Sequence, residues 1–284
     1  MGRWYYDLHL HSCLSPCGGE EVTPGDLAGM CAVAGLDIVA LTDHNTVDGL
    51  PDFLEAARGK NIDIVPGVEF SVDYKGTELH ILGLFIAPEH FGRVAELMEK
   101  GAALKEESNI ALIEALRRDG YDLNYDEIKA STANGRVNRL HVAVALMQKG
   151  YVSTAKEAFA SLLSKSGGYY VAPKRPTAQE IIDFISSIGA VSVLAHPFLN
   201  LDDGEIVEFL SITHGLDGME CYYSTYDEAT TKRALELAEQ FSLLPSGGSD
   251  FHGRAKPDIN LGVGKGNLQI PYDWYLALKE KARN

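Results

Sequence analysis

The 284 residues read as an α/β protein, a closed or nearly closed β/α barrel of six or seven parallel strands interrupted by a small helical domain. Three observations predict it. Short continuous apolar runs alternate with helix-periodic stretches in both halves of the chain, the pattern of parallel strands covered by helices. Imidazoles and carboxylates stand at the ends of almost every such run, whereas a doubly wound sheet would gather them at one crevice where strand order reverses. Between the two halves the texture becomes purely helical.

The elements follow in order. WYYDLHL is the first strand, a helix covers 24–34, LDIVALT is the second strand, and a helix covers 47–57. IDIVPGVEF and ELHILGLFI are the third and fourth strands. After Pro88 a long amphipathic helix over 92–119 and shorter helical stretches near 124–131, 138–149 and 154–164 precede the next strand, Tyr169–Val171. Residues 91–169 are therefore expected to form a helical insertion covering the mouth of a barrel built from 1–90 and 170–284. The rhythm resumes with a helix over 177–188, AVSVLAHP, a helix over 204–212, LDGMECYY, a helix over 226–240 and FSLLPSGGSD, and a last helix covers 272–282.

With 45% hydrophobic and 23% charged residues the chain has the composition of an ordinary folded protein, long enough for one large core with an insert. A net charge of −15 offers no basic face for long duplex nucleic acid, though a local Arg/Lys pocket for one phosphate remains open. No apolar run reaches membrane-spanning length, and the first strand starts too early for a signal peptide, so no membrane partner is expected and the cytoplasm is the expected compartment. Cys13 and Cys17 are separated by three residues rather than the two of a paired thiolate motif, and Cys31 and Cys221 sit in apolar context, so neither thiolate zinc nor a disulfide framework is expected.

The polar strand ends carry the chemistry. His9 and His11 leave a strand in period two and point to one side, with Asp7 on the same face as a further ligand or as the group that orients a ring. Of the adjacent Asp43 and His44 only one should meet a metal; His44 is taken as the ligand and Asp43 as a supporting or helix-capping residue. Glu69 follows Gly67, which permits close backbone approach, and its carboxylate can bridge two cations where an imidazole cannot. His80 lies within an apolar strand, His196-Pro197 ends another, and Asp250-x-His252 repeats the period-two spacing after Gly247-Gly248. Eight donors, His9, His11, His44, Glu69, His80, His196, Asp250 and His252, exceed what one four-coordinate ion uses. Two metal ions are the minimum and a third is open; nitrogen and oxygen donors without thiolate suit zinc, manganese or iron, divalent or trivalent.

Such a site supports metal-assisted hydrolysis of a phosphate ester. Arg136, Arg139, His141 and Lys165 in the insertion, and Arg254 after the last ligand pair, are the candidates for gripping phosphate. Tyr169, Tyr170, Tyr222, Tyr223 and Tyr226 could stack on a base.

Taken together, DLHLHS at 7–12, LTDHN at 41–45, GVE at 67–69, HILGL at 80–84, LAHP at 194–197 and GSDFHG at 248–253 resemble the polymerase and histidinol phosphatase (PHP) superfamily, in particular its small bacterial metal-dependent phosphoesterases with a helical insertion. The resemblance spans essentially the whole chain. It implies a distorted (β/α)7 barrel with two or three metals at its carboxyl-terminal rim. Carried onto this sequence, His9 and His11 hold one ion, Glu69 bridges, His44, His80 and His196 complete the others, and Asp250 with His252 closes the site; these ligands make His9, His11, Glu69, Asp250 and His252 catalytic. It further implies that RLHVA at 139–143 faces substrate, with Arg139 in both binding and catalysis, and that Lys165 is the basic position ahead of 170–171. One departure stands out. The family loop after the two histidines runs to Ser-Asp-Gly, whereas here Pro16 falls where the carboxylate ligand would be, which argues for two metals over three.

The expected substrate is a small phosphomonoester, with a nucleotide mono- or bisphosphate in view. The alternatives are a 5'-3' exonuclease acting on short oligonucleotides, a histidinol-phosphate or sugar-phosphate phosphatase, and a non-catalytic metal-binding regulatory module. A carbon–nitrogen amidohydrolase would want a bridging carboxylated lysine, and no lysine ends an apolar strand. Oligomeric state is left open.

Overall fold

The computed structural model describes residues 5–15, 22–132 and 137–282, apart from the side chain of Lys165. Pro16, Cys17 and Arg136 lie outside the described residues. Two compact units divide the chain, Met1–Glu96 with Pro176–Asn284, and Leu97–Arg175.

In the first unit the order is β1 (Tyr6–Leu10), α1 (Pro24–Val33), β2 (Ile38–Leu41), α2 (Leu50–Ala57), β3 (Asp63–Tyr74) and β4 (Thr77–Leu84). The chain then enters α3 (Phe91–Arg118), and the second unit adds α4 (Tyr125–Ala130), α5 (Arg139–Gln148) and α6 (Ala155–Ala158). It returns through α7 (Ala178–Ser187), β5 (Val191–Leu194), α8 (Asp203–Ile212), β6 (Gly218–Tyr223), α9 (Glu228–Gln240), β7 (Leu244–Gly248) and α10 (Tyr272–Lys281). Helix starts are set by side chains that satisfy orphan amides: Thr23 ahead of Pro24, and reciprocal capping boxes at Thr177 with Glu180 and Asp202 with Glu205.

The seven strands form one sheet in chain order, as the barrel reading expects. Its first and last strands meet beyond their carboxyl ends: Leu10 bridges Phe251, and the Asp250 amide donates to the His9 carbonyl at 2.9 Å. The sheet is thus nearly closed. Gly248 permits this, because a Cβ there would lie 2.7 Å from the His9 amide nitrogen and overlap its Cβ.

Not all strands are parallel. β4 pairs antiparallel with both β3 and β5, against the expectation of a uniformly parallel barrel. The cause is local. Lys75 (φ +52°) and Gly76 (φ +84°) make a two-residue hairpin turn, which can only return the chain antiparallel. His80 therefore reaches the rim opposite Ser71, from a strand running down into the barrel.

The interior of the barrel is filled by Tyr6, Leu8, Ile38, Ala40, Val65, Leu82, Leu84, Val191 and Val193, with Tyr275 and Leu278 of α10 packed against them. Each fully buried side chain of this size contributes about 1.5–3 kcal/mol, so this core supplies a rigid support for the rim. The second unit has its own core, including Leu112, Leu116, Val142, Leu146 and Leu163. The strand expected at Tyr169–Val171 is absent. Its backbone is irregular, and Ser108 of α3 donates to the Val171 carbonyl in place of a neighbouring strand. Cys13, Cys31 and Cys221 are free thiols.

Candidate metal centre

At the rim of the first unit the eight expected donors converge. Glu69 is fully buried and stands at the centre. Its Oε2 lies 3.2 Å from His9 Nε2, 3.1 Å from His11 Nε2 and 3.1 Å from His44 Nδ1. Its Oε1 lies 2.8 Å from His80 Nδ1 and 3.0 Å from His196 Nε2. One carboxylate thus presents each oxygen to a different set of imidazoles. Asp250 Oδ1 completes the first set, 3.5 Å from His9 Nε2 and 3.1 Å from His11 Nε2. His252 closes a third group with His11 and His44.

These separations test whether the residues fit a cation. Four ligands at 2.0–2.1 Å around a tetrahedral ion stand about 3.3 Å from one another. The atoms His9 Nε2, His11 Nε2, Glu69 Oε2 and Asp250 Oδ1 approach such a figure: the five edges that involve a histidine measure between 3.1 and 3.5 Å, the His9–His11 edge being 3.1 Å, and all four atoms lie within 4.8 Å of one another. Glu69 Oε2 and His44 Nδ1 are also buried without an aligned hydrogen bond, although Oε2 has three ring nitrogens within reach. Lone pairs aimed at a common point rather than at each other suit a metal ion. Three overlapping groups of this kind, His9-His11-Glu69-Asp250, His44-Glu69-His80 and His11-His44-His252, offer places for more than one ion.

Anchors behind the rings decide which nitrogen faces inward. His9 Nδ1 meets Glu220 Oε1 at 3.0 Å, His11 Nδ1 meets Ser15 Oγ at 3.1 Å, and His252 Nδ1 meets the Asp250 carbonyl at 2.8 Å. All three leave Nε2 for the centre. Glu220 Oε2 also accepts the His196 amide at 2.8 Å, and Ser15 Oγ accepts the His44 amide at 3.1 Å. The backbone is strained where it delivers ligands: φ is +29° at His196, +54° at Asp250 and +54° at Asn45, next to His44. Each such conformation costs about 1–2 kcal/mol for a residue with a Cβ.

Charge is balanced within the cluster. Burial would raise the carboxyls of Glu69 and Asp250, but the surrounding imidazoles outweigh it and hold both well below the usual carboxylate range. Burial likewise works against charge on His9, His11 and His80, yet the adjacent carboxylates push all three up, His80 to about 9. His44 and His252 go the other way, His252 down to about 3, through burial and their charged neighbours.

Of the two supporting residues, Asp7 departs from expectation and Asp43 takes the supporting one of its two expected roles. Asp7 neither ligates nor orients a ring: the register of β1 shifts between Asp7 and Leu10, and the Asp7 carboxylate instead accepts the amides of Ser249 and Gly262, both at 2.8 Å. Asp43 does not cap a helix; it accepts the Ser12 amide at 2.7 Å and the Ser12 hydroxyl at 2.6 Å, fastening the segment after His11. Sequence reasoning missed Glu220, Ser15 and Lys256, and gave Tyr223 a base-stacking role rather than its bond to Asp250. Glu220 alone had a readable signal, a single carboxylate inside the apolar run GMECYY.

The expected phosphate contacts are dispersed along the chain. Arg254 is exposed in the turn Gly253–Ala255, close in sequence to His252. Arg139, His141 and Lys165 belong to the Leu97–Arg175 unit. There Arg139 stacks on Tyr170, 4.1 Å from its ring centre, and donates to the Leu163 carbonyl at 3.1 Å. His141 accepts the Asn138 amide on Nδ1 in a capping box.

Comparison with known proteins agrees with this geometry. The family model of the PHP domain matches residues 7–174. A 5'-3' exoribonuclease of Haemophilus influenzae is 31% identical over 250 residues, covering 87% of this chain and 89% of that one. A 3',5'-nucleoside bisphosphate phosphatase of Chromobacterium violaceum is 29% identical, covering 87% and 86%. Among solved structures, a protein of Bifidobacterium adolescentis assigned as a metal-dependent phosphoesterase superposes with a TM-score of 0.74 at 25% identity, covering 99% of this chain and 97% of the other.

Proposed function

The chain belongs to the PHP domain family and is a metal-dependent phosphoesterase of small phosphate esters; we propose that its substrate is a nucleotide, a nucleoside mono- or bisphosphate from which it releases phosphate. The observation that carries this reading is the sharing of Glu69 between imidazoles on both of its oxygens, the arrangement needed to hold two neighbouring cations. The two curated relatives named above act on ribonucleic acid and on a nucleoside bisphosphate, which share a phosphorylated pentose carrying a base. The net charge of −15 favours a small substrate over a long polyanion. A cytoplasmic setting suits such a substrate.

His9, His11, Glu69 and Asp250 would hold one ion, His80 and His196, which both approach Glu69 Oε1, a second with Glu69, and His44 with His252 would complete the centre, with zinc, manganese or iron compatible with these donors. Bound cations would supply Lewis acidity and an activated water. The protein's own part is to hold these donors in place through Glu220 and Ser15 and to exclude bulk water from a cluster whose carboxylates are buried. We assign phosphate binding to Arg139, His141, Lys165 and Arg254. Arg139 is already ordered by Tyr170 and Leu163, so little entropy is lost when its remaining donors take a phosphate.

Metal-loaded protein is to be assayed on a nucleoside 3',5'-bisphosphate, a nucleoside 5'-monophosphate and 5'-phosphorylated oligoribonucleotides of increasing length. The expected result is phosphate release with kcat/KM falling as the chain lengthens. Faster turnover of the longer oligonucleotides would favour the second reading, nucleotide removal from the 5' end, which the Haemophilus relative supports. Release from none of them would end the proposal.

A further inference from the structure

Asp250 uses its two oxygens differently. Oδ1 faces His9 and His11, at 3.5 and 3.1 Å. Oδ2 accepts the Tyr223 hydroxyl at 2.6 Å and lies 2.5 Å from Lys256 Nζ. The lysine arrives there by a fold-back of the chain. Asp250 (φ +54°) and Gly253 (φ +57°) turn the backbone, and the one-turn helix Gly253–Ala255 carries Lys256 over the carboxylate six residues before it.

The two partners of Oδ2 are unequal. Tyr223 is buried, its ring packed beside His196 with centres 5.2 Å apart, and its hydroxyl fixes the carboxylate from the buried side. Lys256 keeps 40% of its side chain exposed. An ion pair made by so exposed a lysine adds little to stability, and an ammonium has three N–H donors of which Asp250 takes one. A cation is thus held at the edge of the donor cluster, tethered to one of its carboxylates, with donors left over on its solvent side.

We propose that Lys256 is a substrate-phosphate contact of the barrel itself, in addition to the residues assigned above, with Tyr223 as the positioning residue that holds Asp250. This rests on the phosphoesterase reading. A cation there offsets charge on a nonbridging phosphate oxygen, while its tie to Asp250 keeps it from swinging into solvent.

The test uses metal-loaded wild type, Lys256→Met, Lys256→Arg and Tyr223→Phe, with Lys232→Met on α9 as a surface-charge control. Four quantities are measured: bound metal per chain, the dissociation constant of inorganic phosphate by titration calorimetry, and KM and kcat on whichever substrate the assay proposed above identifies. Lys256→Met is expected to bind phosphate about 10- to 100-fold more weakly and to raise KM, with bound metal unchanged. Lys256→Arg recovers most of the affinity, and Tyr223→Phe loses metal instead. Lys256→Met that binds phosphate like wild type, or that sheds metal as Tyr223→Phe does, overturns the assignment. Wild type that binds phosphate but hydrolyses no ester removes the phosphoesterase reading, and the affinity comparison still decides Lys256. Wild type that binds no phosphate removes both.

Discussion

Oε1 of Glu220 lies 3.0 Å from Nδ1 of His9, with both side chains sealed from solvent. The other oxygen of the same carboxylate holds the amide of His196, whose φ is +29°. A single buried charge on β6 therefore sets the tautomer of one donor and the strained backbone of another.

Glu220→Gln keeps the volume of this group and removes its charge. Because partners behind a ligating histidine typically govern metal affinity by 10- to 100-fold, a loss of about that size is expected in chelator competition, with helicity unchanged by circular dichroism. Glu220→Ala should add a fall in stability of about 1–3 kcal/mol for each buried donor left unpaired. Wild-type metal affinity in both variants would refute the role given to Glu220.

Glu69 and Asp250 should differ in the number of ions they retain. Glu69 faces donors on both oxygens, whereas Asp250 offers one oxygen to the cluster and gives the other to Tyr223 and Lys256. Glu69→Ala is expected to leave the protein with less than one ion per chain, and Asp250→Ala to remove a single ion. Each, like His9→Ala, should abolish turnover. Elemental analysis after gel filtration checks the count, and equal losses in the two carboxylate variants would contradict a bridging Glu69.

Arg139→Ala should raise KM for the nucleotide while leaving bound metal intact, since its partners Tyr170 and Leu163 belong with it to the Leu97–Arg175 unit. Arg139→Lys keeps the charge but not the planar stack and should recover only part of the loss. Metal loss in Arg139→Ala would sink its assignment to phosphate.

Metal binding should release protons. In the metal-free protein His9 and His11 are held above the ordinary imidazole value of 6.5 and His80 at about 9, so a cation must displace their protons. His44 and His252, already held down, contribute none. Apparent metal affinity is therefore expected to climb as pH rises toward about 9, where His80 gives up its proton. Stability of the metal-free protein moves oppositely: His80, raised on folding, stabilises fully below about 6.5, and its contribution is lost as pH rises through about 9. Calorimetric titration at pH 7 in buffers of different ionisation heat counts the protons, and a count of zero would contradict this account.

The donors were legible because imidazoles and carboxylates at the ends of apolar runs have no cheap place in a core. His9, His11, His44, Glu69, His80, His196, Asp250 and His252 were all readable on that ground. What stayed hidden depends on backbone detail. The shift in β1 that turns Asp7 away from the rings leaves no mark in an alternating sequence. The reversal of β4 was written in Lys75-Gly76, a turn signal overshadowed by the apolar strands on either side. Lys256 reaches Asp250 only because two successive left-handed turns fold six residues back, and spacing rules for strands and helices do not anticipate such a loop.

Closure of the barrel supplies the last prediction. Ser249 and Asp250 follow Gly248 directly, and the Asp250 amide is bonded to the His9 carbonyl, so the distance between β7 and β1 decides whether the two ligands meet. A methyl at position 248 would press on the backbone and Cβ of His9, neither of which is the free end of a flexible chain. Gly248→Ala should therefore cost about 1–3 kcal/mol through overpacking and, by separating His9 from Asp250, should lower metal affinity as well. Gly29, in the interior of α1, has no atom within 4 Å of the corresponding position. Gly29→Ala should stabilise by about 0.5–1 kcal/mol with metal affinity unchanged. Chemical denaturation and chelator competition on the pair separate a general glycine effect from closure at His9: if Gly248→Ala retains wild-type metal affinity, the β1–β7 approach does not set the geometry of the centre.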